Sequence, residues 1–328
     1  MIVWLWVGFI ALILSLLALD LGVLNRKEHV IGTREALAWT AFWIFLSLVF
    51  NGGIYYMYEH HWLGIGLHAG GEESGADAAM KYFTGYVVEK SLSLDNIFVI
   101  ALIFKYFAVP GAFQHRVLFW GILGALILRG AMIAAGTALI HRFHWVIYVF
   151  GALLIATAVK MLVTKEERIE PDRNPFVRVA HRLYPVTPDF EGRHFFSRID
   201  GKRAITPLFL VLLVVESTDV LFAVDSIPAI FAITTDPFIV FTSNVFAILG
   251  LRSLYFALAS VMDKFRYLKA SLMLVLVFVG GKMLLSGHYI VPTQISLAVI
   301  CGVLITGIVT SIVVSGQQQR SRARSPDA

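Results

Sequence analysis

Charge is what this sequence has least of. Only 15% of its 328 residues are charged, against about a quarter in an ordinary soluble domain. With 58% of residues hydrophobic, that shortfall excludes a water-soluble globule and points to lipid as the solvent. Cysteine is nearly absent. Cys301 stands alone, which excludes an internal disulfide or a CxxC redox pair. No GxxxxGK[ST] pattern occurs, so ATP hydrolysis is excluded as an energy source. A basic stretch is missing ahead of the first apolar run, residues 2–24, and no small-x-small pattern follows it. That run therefore reads as a retained span rather than a cleaved signal peptide.

What is present is a series of apolar windows of about 20 residues, the length at which a helix spans the hydrocarbon core. Nine spans are predicted: 2–24, 36–58, 82–108, 117–140, 146–163, 206–230, 238–261, 269–286 and 293–315. The fold class is thus all-α, a polytopic integral membrane protein. Basic residues set the orientation. Arg26, Lys27, Arg34, Lys105, Arg116, the nine from Lys165 to Arg203, Lys264, Arg266, Lys269 and the tail arginines fall in alternate loops. The opposite loops hold only Lys81 and Arg142. By the positive-inside rule the N-terminus is expected outside and the tail in the cytoplasm, which needs an odd number of spans.

Two loops are long. Residues 59–81 carry Glu59, Glu72, Glu73, Asp77, His60, His61 and His68; a metal-gathering mouth is one reading, and a solvated glycine-rich loop is the preferred one. In residues 164–203, Asp200-Gly201 between Phe195-Phe196 and Ile205 suggests a short hairpin. The basic tail after Ser315 reads as disordered, its charge an orientation signal and not a nucleic-acid site.

An internal repeat is visible. Glu89-x5-Asp95-Asn96-Ile97 resembles Asp219-x5-Asp225-Ser226-Ile227, Leu128-Arg129 resembles Leu251-Arg252, and Lys160-Met161-Leu162 resembles Lys282-Met283-Leu284. Three matches in one order indicate a duplicated three-helix unit. An odd number of spans per unit makes the copies inverted, as in many secondary transporters with a site where the repeats meet. The chain divides into residues 1–81 (two helices and outer loop), 82–163 (first repeat), 164–205 (loop), 206–287 (second repeat) and 288–328 (last helix and tail), within one transmembrane domain.

Five carboxylates lie inside spans: Glu89, Asp95, Glu216, Asp219 and Asp225. Each ionised carboxylate at the bilayer centre costs about 2.5–3.5 kcal/mol on insertion scales. Something must offset them. Lys90, Arg129, Lys160, Arg252 and Lys282 are also in spans; Arg129 and Arg252 are the deeper candidates for structural pairing, whereas Lys160 and Lys282 can snorkel from the edges. At about 100° per residue, Glu216 and Asp219 share a helix face while Asp225 points elsewhere. Pro228 frees the carbonyl of Val224 and invites a kink or unwound turn, the alternative being an unbroken helix lining a wider path. The ten histidines are in loops or at span ends, so the buried donors are oxygen only: the five carboxylates, the amides of Asn96 and Asn244, hydroxyls and carbonyls. Such a set suits Mn²⁺, Ca²⁺ or Mg²⁺ better than zinc or copper, without choosing among the three. As paired repeat positions, Asp95 and Asp225 are expected to face each other and share a cation, with Glu89 and Asp219 forming a second tier.

The stretch Glu89-Lys-Ser-Leu-Ser-Leu-Asp95-Asn96-Ile97 resembles the first signature of the TerC family, and Glu216-Ser-Thr-Asp219 through Asp225-Ser226-Ile227-Pro228-Ala229 resembles the second. Thr235-Asp236-Pro237-Phe238, Ser243-Asn244 and Gly250-Leu251-Arg252 extend the likeness, which covers nearly the whole chain and is similar to the bacterial Alx branch. What the resemblance implies is a bacterial inner-membrane protein, not an enzyme, that exports Mn²⁺ as cargo with no resident cofactor, in a family linked by name to tellurium resistance. Glu89, Asp95, Glu216, Asp219 and Asp225 would carry the metal, with Asn96 and Asn244 beside them. Two further readings stand: a membrane redox modulator, as the Alx branch has been described, and a non-transporting scaffold. The expected partners are the metal ion and the bilayer; the oligomeric state stays open.

Overall fold

The computed structural model describes residues 2–19, 32–68, 71–163, 174–199, 201–258, 268–289 and 291–324. The segments 20–31, 164–173 and 259–267, which hold much of the basic charge behind the orientation reading, lie outside the described residues, as does Asp200 of the expected turn. Helices run in the order α1 (Ile2–Leu19), α2 (Thr33–Glu59), α3 (Gly75–Tyr106), α4 (Gly111–Arg142), α5 (Val146–Val163), α6 (Pro175–Leu183), α7 (Pro207–Phe231), α8 (Pro237–Leu249), α9 (Leu251–Leu258), α10 (Leu268–Leu285) and α11 (Thr293–Arg324). Two small hairpins interrupt them, β1 (Leu67–His68) with β2 (Gly71–Glu72) and β3 (Phe196–Ile199) with β4 (Lys202–Ile205).

The chain is an all-α polytopic membrane protein. Among the described residues, six helical segments are long and apolar enough to cross a membrane: α2, α4, α5, α7, Pro237–Leu258 of α8 and α9 together, and Thr293–Val314 of α11. With the shorter α1, the charge-bearing α3 and α10, helices occupy all nine predicted spans. Helix is the form in which a segment satisfies its own backbone in lipid. Start signals are local: Ser74 Oγ accepts from Asp77 N at the head of α3, Asp236 Oδ1 accepts from Phe238 and Ile239 N on α8, and α6, α7 and α8 each begin on proline, whose missing N–H has no helical partner at that position.

Several sequence expectations need adjustment. The tail after Ser315, expected to be disordered, continues α11 as helix to Arg324. Helix α3 starts at Gly75 and α4 at Gly111, about two turns before the apolar windows, because Ser74 and Pro110 set the starts and not hydropathy. The 164–205 loop contains a helix, α6, capped by Asn174. Helix α7 runs unbroken through Pro228, so no unwound turn forms there. The break falls instead at Gly250, between α8 and α9. There Lys90 Nζ donates to the carbonyl of Ala247 at 3.1 Å, a cation placed against the carbonyl end of α8. A Cβ on Gly250 would sit 2.7 Å from that ammonium. The hairpin expected around 200–201 is present, with Ile199 opposite Lys202 and Gly201 at φ 78°. In the 59–81 segment, Glu59 Oε2 accepts from Gly75 N at 2.9 Å and Glu73 pairs with Lys81 at 2.7 Å. Those carboxylates serve the helix start rather than a metal mouth.

The duplicated unit is α3 to α5 and α7 to α10. Gly85 of α3 lies beside Ile230 near the end of α7, whereas Ile97 to Phe104 of α3 pack with Leu208 to Val215 at its beginning. The two helices therefore run antiparallel, as inversion requires. Helices α5 and α10 do the same: Gly287, just past α10, meets Tyr148 early in α5, and Gly280 meets Leu154 and Ile155 further along. At their crossing a Cβ on Gly151 would lie 2.9 Å from the carbonyl of Gly280, and one on Gly280 would lie 2.8 Å from that of Gly151. Facing glycines let these backbones touch. Helix α3 packs on α8 and α4 packs on α7, contacts that exchange with one another when the copies are swapped.

Candidate functional site

The antiparallel crossing of α3 and α7 decides where the buried charges go. Glu89 and Asp219, equivalent positions in the repeat, converge on one guanidinium. Arg129 of α4 donates from Nη2 to Asp219 Oδ1 at 2.8 Å and from Nε to Oδ2 at 3.1 Å, the parallel fork that a carboxylate accepts best. Its Nη1 is hydrogen-bonded to Glu89 Oε1 and reaches Ser226 Oγ at 3.2 Å and Asn244 Oδ1 at 3.5 Å. Arg129 is 2% exposed and Glu89 0%. The arginine assigned from sequence to structural pairing is thus the resident cation of this tier, and Asn244 touches it. Glu89 Oε2 and Asn244 Nδ2 have no hydrogen-bond partner.

The other repeat pair is arranged differently. Asp95 and Asn96 of α3 and Asp225 of α7 line one cavity of about 550 Å³ with Thr157 and Lys160 of α5 and Lys269 of α10. Thr157 Oγ1 donates to Asp225 Oδ1 at 2.7 Å, and Lys160 borders the same space. This space is far larger than a bare ion and admits a hydrated one. Asn96 and Asp219 also border a smaller adjoining cavity with Arg252, so the two tiers are neighbours.

Glu216 stands apart. It faces α4 at Gly124, where any Cβ would overlap its carboxylate, and its Oε2 is buried without a hydrogen-bond partner. The seven residues proposed from sequence therefore fall into three groups: Asp95, Asn96 and Asp225 on the large cavity; Glu89, Asp219 and Asn244 around Arg129; Glu216 against Gly124. Among the described residues, no three His, Cys, Asp or Glu side chains gather closely enough to hold a metal ion in this conformation. Sequence reading missed Thr157. The available signal was its place one turn before Lys160 in an otherwise apolar span, which puts both on one face. Lys160, read as an edge residue, is near the end of α5 and also faces the cavity.

With that geometry in view, the chain matches the profile described as "Integral membrane protein TerC family" over residues 74–322. It is 50% identical over 98% of its length to "Uncharacterized membrane protein STKORF319" of Myxococcus xanthus, covering 96% of that protein. It is 45% identical over 96% of its length to "Putative membrane-bound redox modulator Alx" of Salmonella typhi, again covering 96% of the relative. The protein of that name from Escherichia coli K12 is 43% identical, with 97% of each chain covered. No solved structure matches the chain.

Proposed function

Because this chain belongs to the TerC family of integral membrane proteins, and because its repeat-related aspartates face one cavity, we propose that it is a secondary transporter, not an enzyme, that exports a divalent metal, Mn²⁺ foremost. The observation that carries the reading is Asp95 and Asp225, one from each inverted repeat, on the same cavity of about 550 Å³. In inverted-repeat transporters the cargo site lies where the copies meet. The donors there are carboxylates, the Asn96 amide and hydroxyls, hard oxygen ligands that suit Mn²⁺, Mg²⁺ and Ca²⁺. Carboxylates that exchange a metal for protons supply a route for proton antiport. The basic-residue asymmetry supports a cytoplasmic tail, and an inner-membrane location with outward export is what the family resemblance implies.

The name of the enterobacterial relatives supports a second reading, modulation of membrane redox state. One experiment separates the two: metal uptake by inside-out proteoliposomes offered Mn²⁺, Ca²⁺, Mg²⁺ or Zn²⁺. Uptake of Mn²⁺ in preference to Zn²⁺, dependent on Asp225, is expected. Absence of uptake of every ion rejects the transporter reading.

A further inference from the structure

A cation site bordered by lysines is a contradiction unless the lysines have work to do there. Asp95 and Asp225 give the large cavity two negative charges, and Lys160 and Lys269 give it two positive ones. A bound dication adds two positive charges beside these ammoniums, and withdrawal of one of them offsets part of that repulsion. Lys160 is the more exposed of the two. It is exposed and three residues from the end of α5, and its four-carbon stem lets the head move several ångströms toward the interface. Asp225 takes its direct hydrogen bond from Thr157, so the carboxylate stays in place whether or not the Lys160 ammonium remains beside the cavity.

The repeat supplies a control within the molecule. Lys282, the equivalent residue of the second copy, donates to Ser296 Oγ of α11 at 3.0 Å and does not border the cavity. At the neighbouring tier a built-in cation, Arg129, bridges the other repeat pair and offsets one of its two charges. We propose that Lys160 is the exchangeable counterpart of Arg129: a tethered ammonium that balances Asp225 while the cavity is empty, retreats when a divalent cation enters, and returns to help expel it. Lys160 is on this view a positioning residue that sets how reversibly the site holds its cargo. The inference rests on the metal-transport reading.

The test uses full-length protein in nanodiscs at fixed pH, with Mn²⁺ alone as ligand, followed by uptake in proteoliposomes. Lys160→Met removes the charge and keeps the apolar stem; Lys160→Arg keeps the charge; Asp225→Asn removes the partner. Expected results are at least about tenfold tighter Mn²⁺ binding by Lys160→Met, with a lower maximal transport rate and a lower half-saturating concentration, since a unit charge within several ångströms acts strongly on a dication. Lys160→Arg should stay near wild type. Unchanged or weaker binding by Lys160→Met, with Asp225→Asn abolishing binding, overturns the inference and leaves the transporter reading standing. Wild-type protein that binds no Mn²⁺ overturns both.

Discussion

Arg129→Gln should be among the most damaging single changes in the protein. The substitution removes a guanidinium that is 2% exposed from between Glu89, at 0%, and Asp219. Two carboxylates are left without their cation, Glu89 fully buried and Asp219 only 14% exposed. Breaking a buried pair by deleting one partner costs about 3–5 kcal/mol, against a total stability on the order of 5–15 kcal/mol. The expected outcome is a melting temperature for the purified full-length protein at least roughly 5 °C below wild type, with less protein in the membrane fraction. The reasoning has an internal check. Glu89→Gln added to Arg129→Gln replaces charges by amides that hydrogen-bond to one another, so the double variant should regain part of the loss. Tryptophan-fluorescence melting and size-exclusion profiles measure both. If Arg129→Gln melts within a degree of wild type, the triad is not a structural element. A double variant less stable than Arg129→Gln would show that desolvated charge is not the cause.

Asp95→Asn and Asp225→Asn should each abolish Mn²⁺ uptake while leaving membrane insertion intact, because an amide keeps the shape and loses the charge; wild-type uptake by both would make these carboxylates structural. Mn²⁺ binding should strengthen as pH rises and then level off, since protons and metal compete for the same oxygens and lower pH favours the protonated, metal-free form; titrations of affinity between pH 5 and about 8 that show no trend refute that competition. Gly124→Ala should change stability by less than about 1 kcal/mol, because the added methyl meets only the flexible end of Glu216, which can swing aside; a thermal-melting loss well beyond that, relieved by Glu216→Ala in the same chain, would show that the carboxylate is fixed there.

The residues most legible in the sequence were those that violate their surroundings. Glu89, Asp95, Asp219 and Asp225 stand out because an acid in a twenty-residue apolar window is expensive, and their shared spacing exposed the repeat that the antiparallel α3 and α7 carry. The pairing of Arg129 was anticipated as one of two arginine candidates, since a deep guanidinium must answer a deep carboxylate. What stayed hidden is what apolar segments contain by default. Gly124, Gly151 and Gly280 look like any membrane glycine until the neighbour that fills the missing Cβ is known. Thr157 is one hydroxyl among many until Asp225 is seen to accept from it. The break at Gly250 is met by Lys90, which arrives from α3 to take up the carbonyl of Ala247, and hydropathy contains no such contact. Pro228 gave a misleading signal for a related reason: α7 accommodates it three residues before its end, where a lost hydrogen bond disrupts little of the helix.

Treating the five acids as one ligand set overlooked the effect of inversion. An inverted repeat carries each carboxylate position twice, and here the two copies of a position share one surrounding, Arg129 for one pair and the large cavity for the other. Glu89 with Asp219 and Asp95 with Asp225 are those pairs, six residues apart on α3 and on α7. Each pair needs a countercharge in a low-dielectric interior. For the first pair the chain supplies it permanently, through a five-donor guanidinium that is buried and fully forked. For the second it supplies a lysine at a helix end and an open cavity, which is the arrangement for a charge that must come and go. Glu216 has no repeat mate among the acids, since position 86 of the first copy is Tyr86. That asymmetry separates it from both pairs, and it explains why its carboxylate packs against Gly124 and not against a second acid.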